Sequence, residues 1–429
     1  MIERYSLPKM KAVWELQHKY DTWLKVELAV LTAQAELGLI PKGAAEKIRS
    51  RATFRLERAL ELEREQRHDL LGFVGAVQEN LGEEGRYFHF GITSYDIEDP
   101  ALALLMREAA DLILKAIDDL NEAIRDRARE HKFTPMIGRT HGIHAEPISF
   151  GFKLAVWLAE MQRNRQRLEQ AREMISWGKI SGAVGTHANI DPRVEMLVCQ
   201  QLGLNPAPAS TQILQRDRHA QFITTLAILS SSLEKFATEI RNLQRTEIRE
   251  VEEHFAAGQR GSSAMPHKRN PSVSEQVSGL ARVVRGYVLP ALENVVTWHE
   301  RDLANSSVER IIIPDACTLV DYQLVTFTRI VRELAVFPAA MAANISRMGG
   351  LVFSQQVLLA LVDRGVSRDE GYKLVQRSAA RAWQGADFKQ ELLADPEIRA
   401  HLTEAEIERC FELDYHLKHL EHTFAQLGI

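Results

Sequence analysis

The chain has 429 residues, 45% of them hydrophobic and 26% charged, with a formal net charge of −5. That allows a large core and more than one compact unit, and it gives no global basic field, so nucleic acid is not an expected partner. No apolar run reaches membrane-span length, the start MIERYSLPKM has no apolar signal core, and Cys199, Cys317 and Cys410 are odd in number and widely spaced, which fits the reduced thiols of a cytosol.

Hydrophobic spacing of three and four residues predicts helix almost throughout. In chain order, DTWLKVELAVLTAQAELG (21–38) ends at Gly38, a C-cap signal. RHDL (67–70) and HFGITSYD (89–96) are polar interruptions. Residues 100–131 then read as one long helix. Asp99-Pro100 can start it as N-cap and first residue; a start at Ser94 instead puts Pro100 inside, where it should bend the helix. GRTHGIHAEP (138–147) interrupts again, before long helical stretches over 149–175 and 219–257. GQRGSSAMPHKRNP (258–271) is a flexible, cationic loop, followed by helical patterns over 272–298 and 314–345. The paired glycines of SRMGGLVFSQ (346–355) open a last region, where SRDE (367–370) reads as a capping box. No strand series is evident.

The expected fold class is therefore all-α, in three regions: an N-terminal helical domain over 1–93, a central bundle of long helices over 94–345 carrying the loop 258–271, and a C-terminal helical domain over 346–429. Helices near thirty residues, against a mean of about eleven, suggest an extended bundle or burial between subunits.

Loops on a rigid scaffold are the usual place for chemistry. Asn270-Pro271 predicts an N-cap and first helical residue, so the 258–271 loop empties onto a helix N-terminus, which favours anions, with Lys268 adding charge. His141 and His144 have the spacing of two ligands on one helix face, but no third ligand is evident, which argues against metal. His141, among the donors Arg139 and Thr140, suits proton transfer near neutral pH. Thr93 and Ser94 can cap a helix or grip a carboxylate. His68 and Asp69 belong either to a solvated helix turn or to a site that reads a base edge or phosphate. Arg301, Ser306 and Arg310 suit phosphate oxygens, or form a charged helix face.

GSSAMPHKRNP resembles the signature of the fumarase/aspartase superfamily. Within it the whole chain resembles the adenylosuccinate lyases, on MIERYS, RHD, GRTHGIHAEP, KISGAVGTHANIDP (179–192), STQILQRDRHA (210–220) and WHERDLANSSVERIIIPDA (298–316), in that order. The resemblance implies helical subunits in a cytoplasmic homotetramer with active sites shared between subunits, small-molecule substrates, and no metal or organic cofactor. It implies release of fumarate from adenylosuccinate, giving AMP, and from the succinylated aminoimidazole carboxamide ribotide (SAICAR), giving AICAR. It assigns Ser262 as general base, with Ser263 the runner-up, and His141 as general acid oriented by Glu275. Lys268 and Asn270 stabilise the carbanion. Thr93, Ser94, Thr140 and Gln212 hold the succinyl carboxylates. Arg4, Tyr5, Arg301, Ser306 and Arg310 hold the 5′-phosphate, and His68, Asp69 and His89 complete the nucleotide pocket. The chain departs from the family at Tyr95 and Pro100, and at Gly371, where alanine is common. Argininosuccinate lyase and muconate-cycloisomerase-like enzymes are the nearest rival readings, and their substrates carry no phosphate. A non-catalytic helical relative is a third, against which the retained Ser262, His141 and Lys268 argue.

Overall fold

Helices dominate the computed structural model, which describes residues 2–256, 258, 261 and 263–429. Ser262, the expected base, lies outside the described residues. The chain forms two compact units, each gathered from three segments. The first comprises Met1–Asp118, Arg163–Leu233 and Gly279–Val325; the second comprises Asp119–Gln162, Glu234–Ser278 and Thr326–Ile429. Among the described residues no single helix is long and apolar enough to cross a membrane.

In the first unit, the helix Leu16–Glu36 buries Tyr20, Trp23, Val26 and Val30 in a core shared with Leu70, Phe73, Val77, Ile97 and Val194. Tyr20 and Trp23 stack at 4.6 Å, and Phe73 meets each of them edge-on. Gly38, left-handed at φ +71°, terminates the helix as its sequence position predicts. The amides of Gly38 and Leu39 then reach back to the carbonyls of Ala35 and Gln34. In the second unit, Trp157 stacks on Phe236 at 4.7 Å, and a separate core of Val357, Leu361, Phe388, Leu392 and Ile398 fills the C-terminal helices.

The long helices differ from their sequence boundaries at informative places. Ser94–Glu130 is one helix of 37 residues with Pro100 inside it, so the alternative start with Asp99 as N-cap is not used. Asp99 is occupied elsewhere: its carboxylate accepts both Nη atoms of buried Arg216 at 2.9 Å and the Leu214 amide at 2.7 Å. The stretch 219–257 is helical only to Leu243. The expected helix over 272–298 is interrupted between Ser272–Gly286 and Val288–Glu293, where the Pro290 ring conflicts with the carbonyl four residues earlier. Ala304–Glu333 begins ten residues before the expected start and carries Pro314 in its interior. The SRDE box forms by one half, Ser367 accepting from the Glu370 amide, whereas Thr403 and Glu406 form a complete, reciprocal box that the sequence reading passed over.

The all-α class holds, with short strands added locally. Three two-stranded sheets are present among the described residues, and the largest is a hairpin, Pro135–Thr140 with Ile143–Ser149.

Candidate active site

GRTHGIHAEP forms that hairpin, so His141 and His144 do not share a helix face. Thr140 pairs with Ile143, leaving a two-residue turn of His141 and Gly142 with φ +55° and +78°. Two left-handed residues in succession make the turn whose twist matches the strands. Glycine meets that demand freely; histidine adopts it at some cost. The hairpin base is fixed: Arg139 Nη1 and Nη2 donate to the two Glu250 carboxylate oxygens at 2.9 and 2.7 Å, and Asn344 Nδ2 donates to the same carboxylate at 2.8 Å. At the tip Thr140, His141 and Ile143 are exposed. The second unit thus presents His141 outward from a rigid support. His144 is half-buried, and burial, with Arg139 and Arg347 nearby, holds its pKa below the ordinary value.

The loop before the Ser272–Gly286 helix is held differently from the sequence prediction. Asn270 does not cap: its Nδ2 donates to the Gly261 carbonyl at 2.9 Å. The helix N-terminus is instead capped by Glu253, whose carboxylate accepts from the Val273 and Ser274 amides at 3.2 and 2.6 Å. The anion that this terminus favours is supplied by the chain itself. A Cβ on Gly261 would lie 1.9 Å from the Lys268 carbonyl oxygen, so only glycine permits that approach. Ser263 and Lys268 are exposed, and Glu275 lies in the first turn of the helix. Among the described residues no hydrogen bond or ion pair joins His141 to Glu275.

The first unit gathers most of the expected nucleotide and phosphate residues. Arg67 is left-handed and closes the helix Leu56–Gln66; His68 then caps Asp69–Gln78 through Nδ1. RHD is therefore a junction of two helices. Asp69 accepts from Arg310 Nη2 at 2.5 Å and faces Lys19 at 3.9 Å. Burial would raise its pKa, but Arg310 and Lys19 hold it below the ordinary carboxylate value. Arg310 Nε donates to Ser306 Oγ at 3.4 Å, and Arg301 Nη1 donates to Gln212 Oε1 at 2.8 Å. Arg4 and Tyr5 form a short turn in which Tyr5 packs edge-on against Tyr322. His89, left-handed at φ +62°, binds the buried Glu27 carboxylate at 2.6 Å. Burial opposes its charge, but Glu27 raises its pKa overall.

Thr93 and Ser94 stand at the start of the Ser94–Glu130 helix because Asp96 reaches back to the Thr93 amide at 2.8 Å. The other Asp96 oxygen binds Lys179 Nζ at 2.5 Å and the Ser181 and Gly182 amides at 3.0 and 3.2 Å. Lys179 also donates to the Gln212 carbonyl at 3.0 Å. Both side chains of this pair are fully buried. One ion pair thus ties the segment that carries Thr93 and Ser94 to the one that carries Gln212.

Sequence reading missed Asp96, Lys179 and Glu27 as supporting residues. Lys179 sits among Ile180, Ser181 and Gly182 with no amphipathic pattern to mark it buried. It also missed Glu98, 12% exposed and 3.8 Å from Arg310. Burial and the Asp69 charge push its pKa up to about 7, against Lys19 and Arg310.

Comparisons with known proteins place the chain among the lyases. A family described as Lyase matches residues 3–286, and one described as Adenylosuccinate lyase C-terminus matches 350–427. Among solved structures, the fumarate lyase from Mesorhizobium sp. BNC1 superposes with a TM-score of 0.91 at 29% identity, covering 100% of this chain and 99% of that one. The 3-carboxy-cis,cis-muconate lactonizing enzyme from Pseudomonas putida gives 0.89 at 30% identity, over 99% and 96%. Curated adenylosuccinate lyases are more similar still: 53% identity for that of Synechocystis sp. and 52% for that of Bacillus subtilis, each over 100% of both chains. The chain belongs to the adenylosuccinate lyase family.

Proposed function

We propose that the chain eliminates fumarate from adenylosuccinate, giving AMP, and from SAICAR, giving AICAR, in a cytoplasmic homotetramer whose sites draw on more than one subunit. The observation that carries the substrate assignment is a pair of guanidiniums in the first unit, Arg310 on Ser306 and Arg301 on the ring of Tyr95. They give a phosphate oxygen its natural donors. Argininosuccinate carries no phosphate.

The reaction removes a barely acidic proton from the succinyl carbon next to the one that bears the departing nitrogen. Electrons move onto the adjacent carboxylate, the C–N bond breaks, and the nitrogen takes a proton. Ser262 is the base in this reading and Ser263 the runner-up; Lys268 favours the alkoxide of the base and the charge developing on the carboxylate, where preorganised donors are worth about 3–4 kcal/mol each. Asn270 acts through its hold on the Gly261 carbonyl as well as through any contact with substrate. His141 protonates the leaving nitrogen, with Glu275 orienting it. Thr93, Ser94, Thr140 and Gln212 take the carboxylates. Arg4, Tyr5, Arg301, Ser306 and Arg310 take the phosphate, and His68, Asp69 and His89 line the rest.

Support for assembly comes from apolar side chains left uncovered in one chain: Leu289, Val296, Trp298, Leu303 and Ile311 are 58–77% exposed. A surface of that kind marks an interface. The exposed His141 tip fits a site completed by another subunit.

The test is a fumarate-release absorbance assay with adenylosuccinate and argininosuccinate side by side. Adenylosuccinate alone should turn over; preference for argininosuccinate would overturn the substrate. For the shared site, His141→Ala and Ser262→Ala are co-refolded in equal amounts. If the residues come from different chains, about one site in four draws both from unmutated positions, and activity returns to roughly a quarter of wild type. A mixture as inactive as its parents, with subunit exchange demonstrated, places both residues in one chain.

A further inference from the structure

Tyr95 has no role in the reaction described above, yet it touches the groups that would bind the phosphate. It is the second residue of the Ser94–Glu130 helix and is 4% exposed. The Arg301 guanidinium lies 3.8 Å from the centre of its ring, and that of Arg216 lies 5.6 Å away. Its hydroxyl lies beside Ser306. From these two partners the network continues one bond further: Arg301 to Gln212 Oε1 at 2.8 Å, and Ser306 to Arg310 Nε at 3.4 Å. One aromatic side chain thus stands between the Gln212 end of the cluster and the Arg310 end.

An arginine on a long flexible stem loses rotamer freedom when it binds an anion. A ring face that already holds the guanidinium removes part of that loss before the ligand arrives. The ring supplies attraction without a competing charge. Burial, with Glu98 and Asp99 nearby, pushes its pKa up to about 12, so it stays a neutral phenol across the working range. A carboxylate in the same place would neutralise Arg301 and compete with the incoming phosphate. One donor of the held guanidinium is still free: Arg301 Nε is buried and has no hydrogen-bond partner among the described residues.

We propose that Tyr95 is a positioning residue that presets Arg301 and Ser306 as one phosphate-receiving pair, through its ring face and its hydroxyl respectively. The proposal deepens the lyase reading and rests on it.

The test uses full-length Tyr95→Leu and Tyr95→Phe, with adenylosuccinate and with the same compound lacking its 5′-phosphate. Desolvated ring–guanidinium contacts predict a KM for adenylosuccinate roughly five- to thirtyfold higher in Tyr95→Leu, with kcat within about threefold of wild type. Tyr95→Phe keeps the ring and loses the Ser306 contact, so its KM should rise only about two- to fivefold. For the dephosphorylated substrate, which wild type should use poorly, all three proteins should share one kcat/KM within about twofold. AMP binding by calorimetry should weaken in the same order, and it reads the effect without turnover. If Tyr95→Leu fails to fold, Tyr95→Phe carries the test alone through the contrast between the two substrates. Unchanged KM and AMP affinity in both variants would overturn the proposal. So would an equal loss on the phosphate-free substrate, which marks a general structural role. Inactivity of the wild type towards adenylosuccinate would instead overturn the lyase reading, and the AMP measurement would still judge Tyr95.

Discussion

The His141 hairpin and the Arg301–Arg310 cluster solve opposite problems. In the hairpin the support is saturated and the tip is bare: Glu250 is fully buried under Arg139 and Asn344, while His141 stands exposed in a left-handed turn. In the cluster the working groups themselves are paired in advance, Arg310 with Asp69 and Arg301 with Gln212. A group that transfers a proton needs freedom of protonation and access to the substrate, so its environment is kept open. A group that binds a dianion needs its position fixed before the ligand arrives, so it is paired in advance. On the proposed roles, a polar side chain paired in advance serves binding, whereas exposure on a stiff mount serves proton transfer.

That contrast can be broken at its strongest point by replacing His141 with asparagine, which tolerates the left-handed backbone. His141→Asn should lower kcat by about 10²–10⁴ and leave Tm within about 2 °C, because the tip is exposed. A Tm drop that accounts for the lost activity would show that the tip is structural. Next in size is Lys179→Met, beneath the binding side. It strands the fully buried Asp96 carboxylate and should cost about 3–5 kcal/mol in urea unfolding. Adding Asp96→Asn should recover part of that loss; full stability in the single variant would remove the pair from its central place.

A smaller effect separates the two regions by pH. The folded pKa of Glu98, near 7, lies above the ordinary 4.5. Between those values the folded chain holds a proton that the unfolded chain has released. Stability is therefore lost as pH rises through that window and stays lower above it. Glu98→Gln should add about 1–3 kcal/mol at pH 8 and almost nothing at pH 4. An equal gain at both values would mean that the charge of Glu98 is not what costs stability. The smallest effect lies outside both regions. An alanine Cβ at Gly371 would meet Leu358 Cδ1 at 3.0 Å, and the half-buried Leu358 end can turn aside. Gly371→Ala should stabilise by up to about 1 kcal/mol through helix propensity; a loss of more than that would show Leu358 to be locked.

Helix content was legible because hydrophobic spacing reports it directly, and Gly38 ended its helix where glycine chemistry says it should. Boundaries failed where a long-range partner outweighed a local signal. Asp99 looked like an N-cap until Arg216 claimed it, and Asn270 looked like one until Gly261 did. The hairpin at 135–149 was hidden because its strands are short and its turn uses histidine where Asn-Gly is the usual signal. The proposed site residues rest on the family resemblance rather than on spacing. Their supports, Lys179, Glu253 and Glu27, were not, since each acts across 20 or more residues of sequence without periodic trace.

The bond from Asn270 Nδ2 to the Gly261 carbonyl closes residues 261–270 into a ring, and Glu253 secures the following helix independently of it. Lengthening such a ring is thermodynamically cheap: each doubling of a flexible loop costs only about 0.6 kcal/mol. Insertions between Ser263 and Lys268 would therefore leave the fold almost as stable as before while moving the lysine away from its place. On the role proposed for Lys268, such an insertion would be visible in activity long before it was visible in folding.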